Sequence, residues 1–338
     1  MKQLIQKLVE IPGPSGYETQ IRAAIRAEVQ PLADEVYVDA LGNLITRKGK
    51  LRSGQHNSGE GQRIMIAAHM DEIGLMVTHI DENGFARFTN LGGMRTRSLP
   101  GSRVRFVNGP IGVIGLERTI GTNDHPTMTQ MFIDLGVTDR GSCPVRVGDV
   151  ACFERQFLDM GNRLIAKAMD DRIGIYVLIE TMRKINSTPH ELYFVFTTQE
   201  EVGLRGAAPA AFSIDPDLGL AVDVTSTGDT PKDKKMETTL GKGPAIKIRD
   251  SKMLSDPRIV DWIVRTAEKS KLPHQFEILE GGTTDASAIQ LTRAGIPSGC
   301  ISIPCRYIHS PSEMVDLHDV QNAIELLTQL LSEKVILQ

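Results

Sequence analysis

One short stretch restricts the fold of this chain more than any other. An apolar run, Leu192-Tyr193-Phe194-Val195-Phe196, has the length and character of a buried strand. It runs out into Thr197-Thr198-Gln199-Glu200-Glu201-Val202-Gly203. Two adjacent carboxylates are therefore expected at the carboxyl end of a strand, where open α/β sheets bind ligands. Such a pair can divide its work, one acid holding a metal while the other moves a proton. The competing reading is a solvated glutamate pair that closes a strand.

Other apolar runs end the same way. Arg63 to Ala68 leads into His69-Met70-Asp71-Glu72, and Gly219 to Val222 leads into Asp223. Cys300 to Ile303 leads through Pro304-Cys305-Arg306-Tyr307-Ile308 to His309. Ala168-Met169-Asp170-Asp171-Arg172 opens a predicted helix over Ile173 to Ile185. Five candidate ligands, His69, Asp170, Glu201, Asp223 and His309, and one candidate base, Glu200, thus fall at element ends. Two imidazoles and three carboxylates suit a pair of divalent cations such as zinc, cobalt or manganese.

These motifs resemble those of the metalloaminopeptidases that assemble as hollow tetrahedral dodecamers, the glutamyl aminopeptidase or "cellulase M" type. The resemblance rests on His69-Met70-Asp71-Glu72-Ile73-Gly74, Lys167 to Arg172, Gln199-Glu200-Glu201-Val202-Gly203, Asp223-Val224, Gly281 to Ala286, and Arg306-Tyr307-Ile308-His309-Ser310. It spans nearly the whole chain. The doubled threonine Thr283-Thr284 departs from the single Thr usual before Asp285, so Thr283 is given no role.

The chain has 338 residues, enough that two domains are expected. A net charge of −4 leaves no nucleic-acid footprint. Four scattered cysteines, Cys143, Cys152, Cys300 and Cys305, lack zinc-finger spacing and point to a reducing, cytoplasmic setting. The N-terminus begins an amphipathic helix rather than a signal peptide, and no apolar run is long enough to span a membrane.

Helical patterns over Leu4 to Val9 and Ile21 to Val29 precede the Arg63 strand, as in α/β units. Residues 47 to 62, rich in Gly, Ser, Lys and Arg, read as an exposed loop. From Ile73 to Gly161 the texture changes to short runs punctuated by Gly, Pro and Asn, which predicts a small all-β unit. His125 lies in a loop of that unit. The α/β pattern then resumes. Ile259, Val260, Ile263 and Val264 share one helix face, and Val320, Ile324, Leu327 and Leu331 share another. The resemblance implies a mixed-sheet α/β metallopeptidase domain, residues 1–72 and 162–338, with a small β-barrel oligomerisation domain inserted over residues 73–161.

The resemblance also implies roles. Asp170 bridges two cations, His69 and Asp223 complete one site, and Glu201 and His309 complete the other. Glu200 takes a proton from a metal-bridging water and passes it to the leaving amine. Asp71, two residues after His69, accepts the other imidazole N–H and fixes the tautomer; a turn-forming Asp is the alternative. Arg306 either contacts substrate or pairs with a local acid. Thr284 and Asp285 either support the site or, for Asp285, cap a helix over Ala286 to Thr292.

The expected activity is removal of N-terminal residues from short peptides by a homo-oligomer, a dodecamer built from dimers. A dinuclear hydrolase of another small amide, such as an N-acyl amino acid, is the alternative. A glycoside hydrolase is disfavoured, because its two carboxylates must stand about 5–9.5 Å apart across a sugar, whereas Glu200 and Glu201 are neighbours.

Overall fold

The computed structural model describes residues 2–50, 61–118, 126–233 and 235–337. Most of the predicted 47–62 loop, with His56, and the loop histidine His125 lie outside the described residues. Two helices, α1 (Lys2–Glu10) and α2 (Thr19–Val29), come first, followed by β1 (Glu35–Val38), β2 (Leu44–Gly49) and β3 (Arg63–His69). Arg47, Lys48 and Gly49 therefore belong to a strand rather than to the exposed loop read from their charge. β2 pairs with two strands at once, and Leu44 to Arg47 are buried.

The chain then forms β4 (Gly74–Ile80), β5 (Ala86–Leu91), β6 (Arg103–Phe106), β7 (Ile111–Leu116), β8 (Met131–Asp134) and β9 (Val150–Phe153). These strands close into a barrel in the order β4-β5-β8-β7-β6-β9. Leu75, Val77, Phe88, Val104, Phe106, Ile114, Ile133 and Phe153 fill it. Alternate residues along β6 and β7 are more exposed, the period-2 pattern of a sheet with one buried face.

The remaining elements are β10 (Leu158–Met160), β11 (Arg163–Ala166), α3 (Met169–Lys184), β12 (Glu191–Thr197), α4 (Ala207–Ile214), β13 (Leu218–Thr225), β14 (Ala245–Arg249), α5 (Pro257–Lys269), β15 (Gln275–Ile278), α6 (Asp285–Gln290), β16 (Ser298–Arg306), β17 (Glu313–Asp316) and α7 (Leu317–Ser332). Among the described residues, one mixed sheet runs β1-β2-β12-β3-β13-β16-β17-β11-β10, with β14 on β16 and β15 on β14. β10 pairs with β11 of this sheet, although Leu158–Met160 fall inside the segment read as inserted. The barrel ends at Phe153, and the chain has rejoined the sheet before Gly161.

Alternating side chains on the central strands feed two separate cores. Ile64, Ile66, Leu192, Phe194 and Phe196 pack with α1, α3 and α7. Met65, Ala67 and Val195 pack with α4 and Ile289 of α6. The result is a three-layer sandwich, in which β12, β3, β13 and β16 are mutually parallel and covered on both faces. Parallel pairing matters for function because it brings four carboxyl ends to one edge. Thr197 stands beside His69, and Asp223 beside Ser302.

Near the opposite ends of the same strands, His190 Nδ1 accepts the Gln62 N–H at 3.0 Å, while Nε2 lies 2.7 Å from the Glu333 carbonyl. These contacts require a neutral ring, and burial lowers its pKa below the ordinary 6.5. The folded state then binds fewer protons than the unfolded chain, so this contribution is full above about pH 6.5 and is lost as pH falls below it. His190→Gln is expected to flatten the dependence of the melting temperature on pH below about 6.5. An unchanged slope would show that His190 does not contribute.

Candidate metal centre

The carboxyl edge of the parallel strands brings the predicted residues together. His69 ends β3. Asp170 and Asp171 sit at the start of α3, but their backbones, with ψ of 105° and 38°, have not yet entered the helix. This non-helical entry carries Asp170 across to the β3 end. His69 Nε2 is 2.9 Å from Asp170 Oδ1, and His309 Nε2 is 3.3 Å from Asp170 Oδ2. Each oxygen of one carboxylate thus faces a different imidazole. His309 Nε2 is also 3.2 Å from Glu201 Oε2, and His69 Nε2 is 3.9 Å from Asp223 Oδ1.

Donor atoms of His69, Asp170 and Glu201 lie within 4.8 Å of one another, as do those of His69, Asp171 and Asp223. Asp171 was not among the residues singled out from the sequence. It is fully buried, and accepts N–H groups from His69 at 3.3 Å and Gly174 at 3.0 Å. Its adjacency to Asp170 was the only available signal.

The turn after β12 explains how neighbouring glutamates reach one site. Gln199 takes a positive φ of 56°, and the Glu200 carbonyl accepts the N–H groups of Gly203 and Leu204. Asp71 holds this turn from below. Its carboxylate accepts the Glu200 N–H at 2.9 Å, the Glu201 N–H at 3.2 Å and the Ser15 hydroxyl at 2.6 Å. Both the carboxylate and the backbone carbonyl of Asp71 face the His69 ring. His69 Nδ1 lies 3.0 Å from the Asp71 backbone carbonyl and 3.5 Å from its carboxylate. The carboxylate is occupied with backbone donors that the sequence could not reveal.

Charge defines the chemistry of this cluster. Burial pushes Glu200 and Asp223 well above the carboxylate range; His69 opposes this for both, and Asp223 and Asp170 respectively reinforce it. Burial likewise raises Glu201. Asp170 is buried too, yet His309 and His69 hold it below the ordinary range. Burial opposes the His309 imidazolium, but Asp170 and Glu201 outweigh it and push the ring up to about 11. Without a cation, burial therefore disfavours the ionised forms of Glu200, Glu201 and Asp223, while the two imidazoles favour that of Asp170. Divalent cations displace protons from such ligands when they bind. Glu201 Oε1 is buried without a hydrogen-bond partner among the described residues, which is costly for a carboxylate unless a cation takes it. The donor set and this orphaned oxygen both fit a metal. Burial raises the Cys300 and Cys305 thiols, which keeps these soft donors protonated.

The weaker candidates have definite places. Arg306 makes a two-point pair with Asp229, at 2.9 and 2.7 Å. It walls a cleft of about 930 Å³ that Thr227, Met236, Phe276 and Tyr307 also line. The wall segment Cys305–Ile308 runs directly into His309. Thr284, not Asp285, is the N-terminal cap residue of α6, and makes no side-chain cap bond. Asp285 accepts the Thr197 hydroxyl at 2.5 Å; burial, partly offset by that bond, pushes its carboxyl up to about 6. The barrel also reaches the site. Gly92 and Gly93, just after β5, press on Glu201 and His309: a Cβ there would stand 3.0 Å from Glu201 Oε2 and 3.0 Å from His309 Nδ1, respectively.

Comparison with known proteins gives a consistent picture. A chain from Acetivibrio thermocellus that carries an aminopeptidase name is 45% identical over 331 residues, 97% of this chain and 98% of its own. Lysyl aminopeptidase of Pyrococcus furiosus is 35% identical over 347 residues, 98% of this chain and 96% of its own. The solved structure of the Pyrococcus horikoshii TET1 peptidase, described as assembling into a tetrahedron or a large octahedral shell, is 32% identical. It superposes with a TM-score of 0.86, covering 98% of this chain and 99% of its own. The profile described as M42 glutamyl aminopeptidase matches residues 49–326. With the strand-end cluster of acids and histidines in place, the chain belongs to the M42 glutamyl aminopeptidase family and is an aminopeptidase.

Proposed function

We propose that this aminopeptidase removes N-terminal residues from short peptides with two divalent cations. His69 and Asp223 would hold one, Glu201 and His309 the other, and Asp170 both. The observation that carries the reading is the Asp170 carboxylate, with one oxygen turned to each imidazole. Mixed imidazole and carboxylate donors suit zinc or cobalt, with manganese as a further choice. Bound cations supply Lewis acidity toward the attacking water and the scissile carbonyl.

The residues do the rest. Glu200, beside Glu201 but not required as a ligand, takes the proton of the attacking water and returns it to the leaving amine. Asp71 fixes the aim of Glu200 through the backbone bond at 2.9 Å. Burial of His69, Asp170 and Asp223 at this edge strengthens the electrostatic contacts among them. Arg306, locked by Asp229, walls the substrate cleft, and Asp285 with Thr284 supports the floor through Thr197. The four unpaired thiols support a reducing, cytoplasmic setting.

The barrel strands Gly74 to Phe153 serve association, and the full particle is a dodecamer built from dimers. The shell-forming TET1 structure supports this reading. Such a shell admits short or unfolded peptides and excludes folded proteins.

Reconstitution of chelated protein with zinc, cobalt or manganese tests both parts. Cleavage confined to substrates with a free α-amine is expected. Equal or better cleavage of N-acylated amino acids would replace the peptidase reading by a deacylase. Light scattering on the same samples should give a particle of about twelve chains with metal and smaller species after chelation, since a cation bound only by the assembled form shifts the equilibrium. A metal-loaded monomer would end the assembly reading alone.

A further inference from the structure

One buried carboxylate outside the ligand set ties two ligand segments together. Glu313, the first residue of β17, is 1% exposed. Its Oε1 accepts the His309 N–H at 2.8 Å, and its Oε2 accepts the Asp170 N–H at 3.0 Å. Both oxygens of a single planar group are thus committed to the backbones of two ligands far apart in the chain.

The His309 backbone needs such a hold. It has a φ of +63°, in the left-handed region that residues with a side chain seldom adopt, and such a conformation persists only when the surroundings over-determine it. Asp170 is extended where a helix should have begun, and its N–H donates to this carboxylate, which fixes its direction. The planar carboxylate sets the distance between the two N–H groups and hence between the two backbones. The side chains they carry meet at 3.3 Å.

We infer that Glu313 is a positioning residue that sets Asp170 and His309 relative to each other, and so shapes the cation site that His309 completes. The inference rests on the two-cation reading above. Glutamine keeps the size of the side chain but offers one acceptor oxygen, so one of the two N–H groups must face an amide donor instead. Residues that merely orient a metal ligand typically change affinity by about 10–100-fold.

The test titrates chelated full-length protein with cobalt(II) or zinc(II), following uptake by calorimetry. E313Q is expected to lose about 10–100-fold in affinity for one cation and little for the other. H309A should weaken the same cation, and excess metal should rescue activity in E313Q but not in H309A. E313D keeps the charge and shortens the reach by one methylene. It is expected to show the same selective loss, and carries the test if E313Q does not fold.

Wild-type affinity for both cations in the Glu313 variants would overturn the inference. So would equal weakening of both cations together with a lower melting temperature of the chelated protein, the mark of a general structural role. Wild-type stoichiometry reports separately on the two-cation reading. If it ends at one cation per chain, that reading fails, and the inference fails with it only if E313Q holds that cation as tightly as wild type.

Discussion

Glu200→Gln is expected to lower turnover by about 10²–10⁴-fold while leaving the bound metal unchanged, the range typical of a lost general acid–base group. The substitution preserves size and the backbone contact with Asp71, which involves the N–H rather than the side chain. The His69 and His309 contacts with Asp170, Glu201 and Asp223 do not involve the Glu200 side chain, so the ligand cluster stays intact. What disappears is a group able to take and return a proton. Turnover and metal content measured on one preparation decide the matter. Near-normal turnover with full metal would remove Glu200 from the reaction. Loss of metal along with activity would make it a ligand instead.

Asp170→Asn should be the most damaging change to the metal centre. The carboxylate gives one oxygen to the His69 side and the other to the His309 side, whereas an amide gives one oxygen and one donor nitrogen. Both cations should weaken by more than the about 10–100-fold typical of residues that only orient a ligand. His309→Ala should empty mainly one site. Metal content per chain after dialysis separates the two patterns. If the Asp170 variant loses one cation and keeps the other at wild-type affinity, it does not bridge.

Much of this centre was legible because strand ends are written in the sequence. The runs before His69, Glu201 and Asp223 are apolar and β-rich, and each gives way within a few residues to a side chain able to hold a metal. Parallel order could not be read from any single run. It emerges only when β3, β12, β13 and β16 pair, which brings those breaks to one edge. β2 was hidden by Arg47 and Lys48, whose charge suggests solvent although pairing on both sides buries much of the strand.

The supports were harder to read than the ligands. Ser15 sits in a Gly-Pro-Ser-Gly segment and Glu313 after Ser-Pro-Ser, both of which look like surface turns, and their partners Asp71 and Asp170 are remote in sequence. The Asp71 motif marks the residue beside the His69 ring, but spacing cannot show that its backbone carbonyl stands nearer the ring than its carboxylate. The barrel strands were visible as short runs. The return of β10 to the large sheet was not, because Leu158–Met160 is brief and exposed.

The two glycines after β5 bear on how freely the barrel could be exchanged. Modular proteins are often thought to tolerate grafting of an inserted unit, provided its ends are close together. Here the unit leaves the sheet only four residues after His69, and its Gly92–Gly93 corner closes over Glu201 and His309. Any graft from another source must reproduce that corner to within the width of a methyl group. The barrel and the strand-end cluster therefore constrain each other's shape, and a transplanted barrel must bring a matching corner with it.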